Sequence, residues 1–183
     1  MKKFIVGVMG FMLATSVMAG NFSAYYSTWD AGDAGQTGIG GGIRVDSNVS
    51  DYFGVEFRLT AFNQFDDDPS DNLFIVPIEV GLFGQLPLAE NRIVIYGGGG
   101  IGYYIMPEFE NEDGTDVDVE DVVGFYVVGG ARLMFSDQAG IFAEVKQTMV
   151  EPDEIEIPDA DVTVDFDGDL TGVMINIGLV LGW

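Results

Sequence analysis

From Val173 to the end of the chain every second residue is large and apolar: Val173, Ile175, Ile177, Leu179, Leu181 and Trp183. The positions between them include Asn176, Gly178 and Gly182. A period of two with one wholly apolar face predicts a β-strand facing an apolar phase. The same alternation, broken by turn residues, recurs along the chain and predicts strands near 21–29, 37–46, 52–62, 73–85, 92–106, 122–135, 141–150 and 169–183. The connections differ in length. Those at 46–51, 86–91 and 136–140 are short and rich in turn formers. Those at 30–36, 63–72, 107–121 and 151–168 are long.

Parity within a run assigns its two faces. Phe53, Val55, Phe57, Leu59 and Ala61 form one side of the third strand; Gly54, Glu56, Arg58 and Thr60 form the other. Likewise Thr37, Ile39, Gly41, Ile43 and Val45 oppose Arg44, and Phe74, Val76, Ile78, Val80 and Leu82 oppose Glu79. Val123, Phe125, Val127, Leu133 and Phe135 oppose Arg132, and Ile141, Ala143 and Val145 oppose Glu144, Lys146 and Thr148. The first and fifth strands stay undecided, because Tyr25-Tyr26 and Tyr103-Tyr104 put bulk on both faces. An apolar outside with charges inside is the pattern of a barrel in lipid. The fold predicted is all-β, an eight-stranded antiparallel up-and-down transmembrane β-barrel, with both termini at the short-turn rim. Arg44, Glu56, Arg58, Glu79, Arg132, Glu144 and Lys146 then form a lumenal charge network. So small a barrel has room only for packed side chains, and buried charges must be paired, so the network is expected to plug it. Inward glycines at 38, 40, 42, 98, 100 and 102 are expected to make space for arginine and tyrosine side chains.

The amino terminus adds an address. Met1-Lys2-Lys3 is a basic n-region, residues 4–13 an apolar run too short to span a bilayer, and Val17-Met18-Ala19 a small-residue cleavage site. Residues 1–19 are read as a cleaved Sec signal peptide and 20–183 as the barrel domain. The chain has no cysteine, which excludes a lipoprotein anchor and disulfides.

Signal peptide, eight alternating strands, long loops on one rim and a terminal aromatic strand together resemble the OmpA/OmpX-type superfamily of small outer-membrane β-barrels. The resemblance covers the whole mature chain but is architectural. It implies a single-domain member of the cell outer membrane, exported through the Sec pathway. It also implies that Ile177, Leu179, Leu181 and Trp183 form the assembly signal and interface anchor, with Trp in place of the usual Phe. The partners implied are outer-membrane lipid, lipopolysaccharide and the barrel-assembly machinery, and the protein is expected to be a monomer.

Charge and missing residue types narrow the function. Losing Lys2 and Lys3 leaves 5 basic against 30 acidic residues, a formal charge near −25, which argues against nucleic acid as a partner. Twenty-three of the carboxylates lie in or beside the four long connections, with no Lys or Arg among them. Such loops gather cations, and hard cations take carboxylate oxygens. Loosely held Ca²⁺ or Mg²⁺ is therefore expected at Asp116, Asp118, Glu120, Asp165, Asp167 and Asp169, where it could bridge to lipopolysaccharide phosphates; the alternative is a plain solvated acidic surface. Asp165-x-Asp167-Gly-Asp169 is not an EF-hand, since glycine stands fourth and the downstream Glu is missing. The glycine runs at 97–102 and 38–42 sit inside strands with no following helix to hold a phosphate.

No other cofactor and no catalysis are expected. With no histidine and no cysteine, a Ser–His–Asp arrangement cannot exist, and Asp116 with Glu120 lacks an aromatic cleft for acid–base work. Three functional readings remain. The first is a closed barrel with a structural or surface-interaction role. The second is a narrow porin-like channel for small solutes or apolar molecules, and the third a soluble lipocalin-like ligand binder.

Overall fold

The structure is a computed structural model. It describes residues 20–31, 37–63, 74–105, 109–110, 116–119, 121–150, 154–157, 162–165 and 171–182. Twelve strands follow in chain order: β1 (Gly20–Ala31), β2 (Thr37–Asn48), β3 (Phe53–Asn63), β4 (Val76–Leu88), β5 (Ile93–Ile105), β6 (Phe109–Glu110), β7 (Asp116–Val119), β8 (Val122–Met134), β9 (Ala139–Met149), β10 (Glu154–Ile157), β11 (Val162–Asp165) and β12 (Gly172–Gly182). Eight of them close a barrel in the order β1-β12-β9-β8-β5-β4-β3-β2, every pair antiparallel. The first and last strands seal it from Asn21↔Gly182 to Ala31↔Gly172. A closed sheet leaves no unpaired edge for the surrounding phase to meet.

Faces follow the alternation. Leu82, Phe53, Leu179, Val123, Ile177 and Phe125 are all more than half exposed on the outer wall, a surface that water would not tolerate but lipid does. The undecided strands are resolved: Tyr25 and Tyr104 are buried inside, while Tyr26 is exposed outside. Phe57 keeps its outward parity yet is 6% exposed, and is the covered member of its row.

Prolines fit the ladder. β4 pairs with β3 from Ile78 to Gly84, and the same register returns at the Phe62–Ile75 bridge. The ladder therefore breaks at Pro77, which has no N–H to offer β3, whereas Pro87 lies past the end of that pairing. The turn after β4 is tighter than the sequence pattern gives. β4 runs on to Leu88, and Ala89, Glu90 and Asn91 make the turn, all with positive φ (50°, 57° and 67°). Of these only Asn tolerates the left-handed region well.

Two of the long connections are not plain loops. β6, β7, β10 and β11 form a second, four-stranded sheet in the order β11-β10-β7-β6. Its pairings keep the register of the barrel strands. The register that sets Tyr104 opposite Val122 carries on without a shift to Phe109↔Val117 and Glu110↔Asp116. That of Phe125↔Met149 carries on to Val119↔Ile155 and Glu156↔Asp118. Alternation in these segments was hidden by their density of carboxylates, which reads as loop.

Candidate functional site

The lumen is filled in layers, each strand giving every second residue to it. Glu144 on β9 is the hub. Arg44 Nη1 donates to its Oε2 at 2.8 Å, Arg58 donates through Nη1 to Oε1 and through Nη2 to Oε2 at 3.2 Å. Asn176 Nδ2 and Tyr96 Oη complete it, each at 2.8 Å. Arg58 also reaches Glu56 Oε2 at 2.9 Å, and Tyr126 Oη holds the other Glu56 oxygen at the same distance. Further toward the long-loop end, Lys146 Nζ lies 2.7 Å from both oxygens of Glu79, which also accepts from Tyr104 Oη. Toward the short-turn rim, Asp46 Oδ1 takes Arg132 Nη2 at 3.0 Å and sits 3.3 Å from Arg44 Nε, an ion pair without hydrogen-bond geometry. Asn21 Nδ2 donates to its second oxygen at 2.7 Å.

All seven lumenal charges read from parity lie inside and are ion-paired. The eighth member, Asp46, was missed. It stands at the start of a turn-forming run, Asp46-Ser47-Asn48, and so reads as turn, but β2 extends to Asn48 and carries it inward. With it the interior holds four cations and four carboxylates. The balance is physically needed, since an unpaired charge in so dry a place costs several kcal/mol. Aromatic rings line the cations: the Arg44 guanidinium lies 4.6 Å from the Phe142 ring centre and 5.2 Å from that of Tyr96.

The inward glycines make room for rings and backbone, and arginine is not what they admit. A Cβ at Gly42 would lie 2.6 Å from the Tyr25 ring, one at Gly100 2.8 Å from the Tyr126 ring, and one at Gly102 2.8 Å from that of Tyr104. At each of these positions the nearest atom that an added Cβ would meet is a ring or backbone atom, so the bare backbone there is what lets the ring pack.

The two ends of the lumen differ. At the long-loop end Trp29, Phe62, Ile75, Tyr104, Val150 and Met174 are wholly buried, with Trp29 packed 5.2 Å from Phe62 and 6.1 Å from Tyr104 between ring centres. At the short-turn rim a cavity of about 760 Å³ opens, walled by Asn21, Asn48, Gln85, Val94 and Met134 and reaching in to Arg132. It is a vestibule backed by the plug.

Of the cation candidates, Asp116 and Asp118 lie on β7 and Asp165 on β11; Glu120, Asp167 and Asp169 lie outside the described residues. Among the described residues no group of three potential ligands is drawn together as a metal centre. Ile177, Leu179 and Leu181 are exposed on the outer wall of β12; Trp183 and the predicted signal peptide, residues 1–19, lie outside the described residues.

A family model of the outer membrane protein beta-barrel domain matches residues 12–181. The chain belongs to that family. No curated protein sequence matches it. Solved structures of like shape include Neisserial surface protein A, with TM-score 0.67 and 10% identity over 90% of this chain and 96% of that one. The N-terminal barrel domain of Pseudomonas aeruginosa OprF gives 0.60 at 9% identity, over 90% and 97%. Yersinia pestis Ail, in complex with the heparin analogue sucrose octasulfate, gives 0.57 at 11%, over 90% and 97%. At such identities the likeness is one of fold. The fold they share with this chain is the small eight-stranded barrel, and membership of the family puts it in the bacterial outer membrane, surrounded by lipid.

Proposed function

We propose that the protein is a closed outer-membrane barrel that acts at the cell surface, as an envelope-stabilising or surface-interaction protein and not as an enzyme. The observation that carries this reading is the balanced, layered plug. A ring of paired charges around Glu144, capped by Trp29, Phe62 and Tyr104, occupies the path that a solute would take. The vestibule suits a channel, but Arg132, paired to Asp46, stands at its inner end. With the interior committed to holding itself together, interaction falls to the loops.

The loops' chemistry favours cations. In the small sheet Glu110 pairs with Asp116, Asp118 with Glu156 and Glu154 with Asp165. Like charges directly opposite one another oppose the ladder unless counter-ions gather there. Calcium or magnesium gathered by these carboxylates, and by Glu120, Asp167 and Asp169, would join the protein to lipopolysaccharide phosphates. A sulfated polyanion of the kind seen on Ail is disfavoured by a mature charge near −25. Export by the Sec pathway, insertion by the barrel-assembly machinery with Trp183 as the terminal signal, and a monomeric state complete the proposal.

The test is binding of lipopolysaccharide to the protein in nanodiscs, with calcium and with chelator. Binding that is strong with calcium and lost with chelator supports the reading. Binding indifferent to the ion overturns the cation bridge.

A further inference from the structure

One basic residue stays out of the plug. Of the basic residues that follow residue 19, Arg44, Arg58, Arg132 and Lys146 are ion-paired inside the barrel, while Arg92 has no carboxylate partner among the described residues. Arg92 instead lines the vestibule at the short-turn rim, together with Arg132. Val94 pairs with Arg132, and the Arg92 carbonyl accepts from Met134 N. The two arginines are therefore diagonal neighbours on one wall, their Cα atoms about 7–8 Å apart. Two guanidinium groups side by side repel each other unless an anion lies between them.

Arg132 is short of acceptors. It is 4% exposed, and its Nε is buried without a hydrogen-bond partner. Among the described residues its head makes one hydrogen bond, from Nη2 to Asp46 Oδ1 at 3.0 Å. That oxygen also faces Arg44 Nε at 3.3 Å, so one carboxylate serves two arginines. A buried guanidinium with donors to spare, at the inner end of a cavity of about 760 Å³, is the floor of an anion site. The mouth has the opposite sign. Asp51, Glu90 and Asp137 stand one on each short turn, exposed and lining the same cavity. On the half-buried wall Gln85 Nε2 donates to Asn48 Oδ1 and to the Asp51 carbonyl, each at 3.2 Å. That leaves Asn48 Nδ2 to donate and Gln85 Oε1 to accept.

We propose that the vestibule binds a short peptide as its zwitterion, with the C-terminal carboxylate on Arg132 and Arg92 and the α-ammonium among Asp51, Glu90 and Asp137. A plain anion would have to pass the carboxylates of the mouth, and a plain cation would meet two arginines inside. A zwitterion with its negative end inward suits both. The free ends of Asn48 and Gln85 match the C=O and N–H of a peptide group, which a single amino acid lacks. The short-turn rim of an outer-membrane barrel faces the periplasm, so the ligand comes from that side. This site lies at the opposite end of the barrel from the acidic loops and does not depend on their binding cations.

The test is calorimetric titration of the mature protein in phosphatidylcholine nanodiscs with trialanine, trialanine amide and N-acetyl-trialanine. Trialanine is expected to bind one to one with a Kd below about 1 mM. The amide, which lacks the carboxylate, should bind at least about tenfold more weakly, and the N-acetyl form, which lacks the ammonium, at least about threefold more weakly. Arg92→Gln should weaken trialanine about tenfold yet leave the amide nearly unchanged, because the pair it removes is absent from that complex. Arg92 joins no ion pair among the described residues, so this variant should keep the gel mobility of the folded barrel. Arg132→Gln should weaken trialanine at least as much, with the same check on folding. Equal affinity for trialanine and its amide, or for trialanine and its N-acetyl form, overturns the proposal. So does indifference to Arg92→Gln, or no binding of trialanine up to about 10 mM. None of these outcomes touches the cation-dependent lipopolysaccharide reading.

Discussion

Among the residues, Glu144 carries the greatest weight. Two arginines, an asparagine and a tyrosine converge on it. Replacing it by Leu leaves Arg44 and Arg58 short of a counter-charge in a dry interior, a loss of about 3–5 kcal/mol. Urea unfolding in detergent micelles should show that loss directly. The Lys146–Glu79 pair makes the converse test. Lys146→Met alone should cost a similar amount, whereas Lys146→Met with Glu79→Met should recover most of it, because a well-packed apolar pair replaces a desolvated ionic one. Positive φ at Ala89 gives a prediction of opposite sign: Ala89→Gly should stabilise by about 0.5–1 kcal/mol, since glycine occupies that region without a Cβ clash. Parity alone located seven of the eight lumenal charges, because a charge on the far side of an apolar row has nowhere else to go. Asp46 was not legible, since its neighbours Ser47 and Asn48 are as common in turns as at the inner rim of a barrel.

In the strands, the outer wall and the inner wall obey different rules. Val127 lies mid-way along β8 and about half exposed on the lipid side. Val127→Arg should therefore cost about 2–4 kcal/mol in a bilayer, the cost of a cation near the midplane. Inside, size matters more than polarity. A Cβ at Gly81 would come within 2.2 Å of Tyr126 Oη, so Gly81→Val should displace Tyr126 from Glu56 and lower stability, while Gly129→Val, where an added Cβ meets nothing within 4 Å, should be tolerated. The eight long strands were legible because apolar and polar residues alternate over ten or more positions. The four short ones were not. Asp116–Val119 and Glu154–Ile157 alternate over only four residues each, and their carboxylates carry the composition of a solvated loop. Their pairing becomes visible only in the structure, where it keeps the register of the barrel strands.

For the whole molecule, the distribution of charge separates the roles of the two ends. Four cations and four carboxylates cancel inside, so nearly all of the net negative charge lies outside the plug and most of it at the long-loop end. A neutral, packed interior keeps the barrel closed, and the proposed role of the acidic rim is to gather cations. That division is the central claim, and single-channel recording in planar bilayers tests it most directly. The protein is predicted to give no conductance steps, with calcium or with chelator, and Glu144→Ala to open at most brief, irregular ones. Stable, uniform conductance steps from the unaltered protein would contradict it.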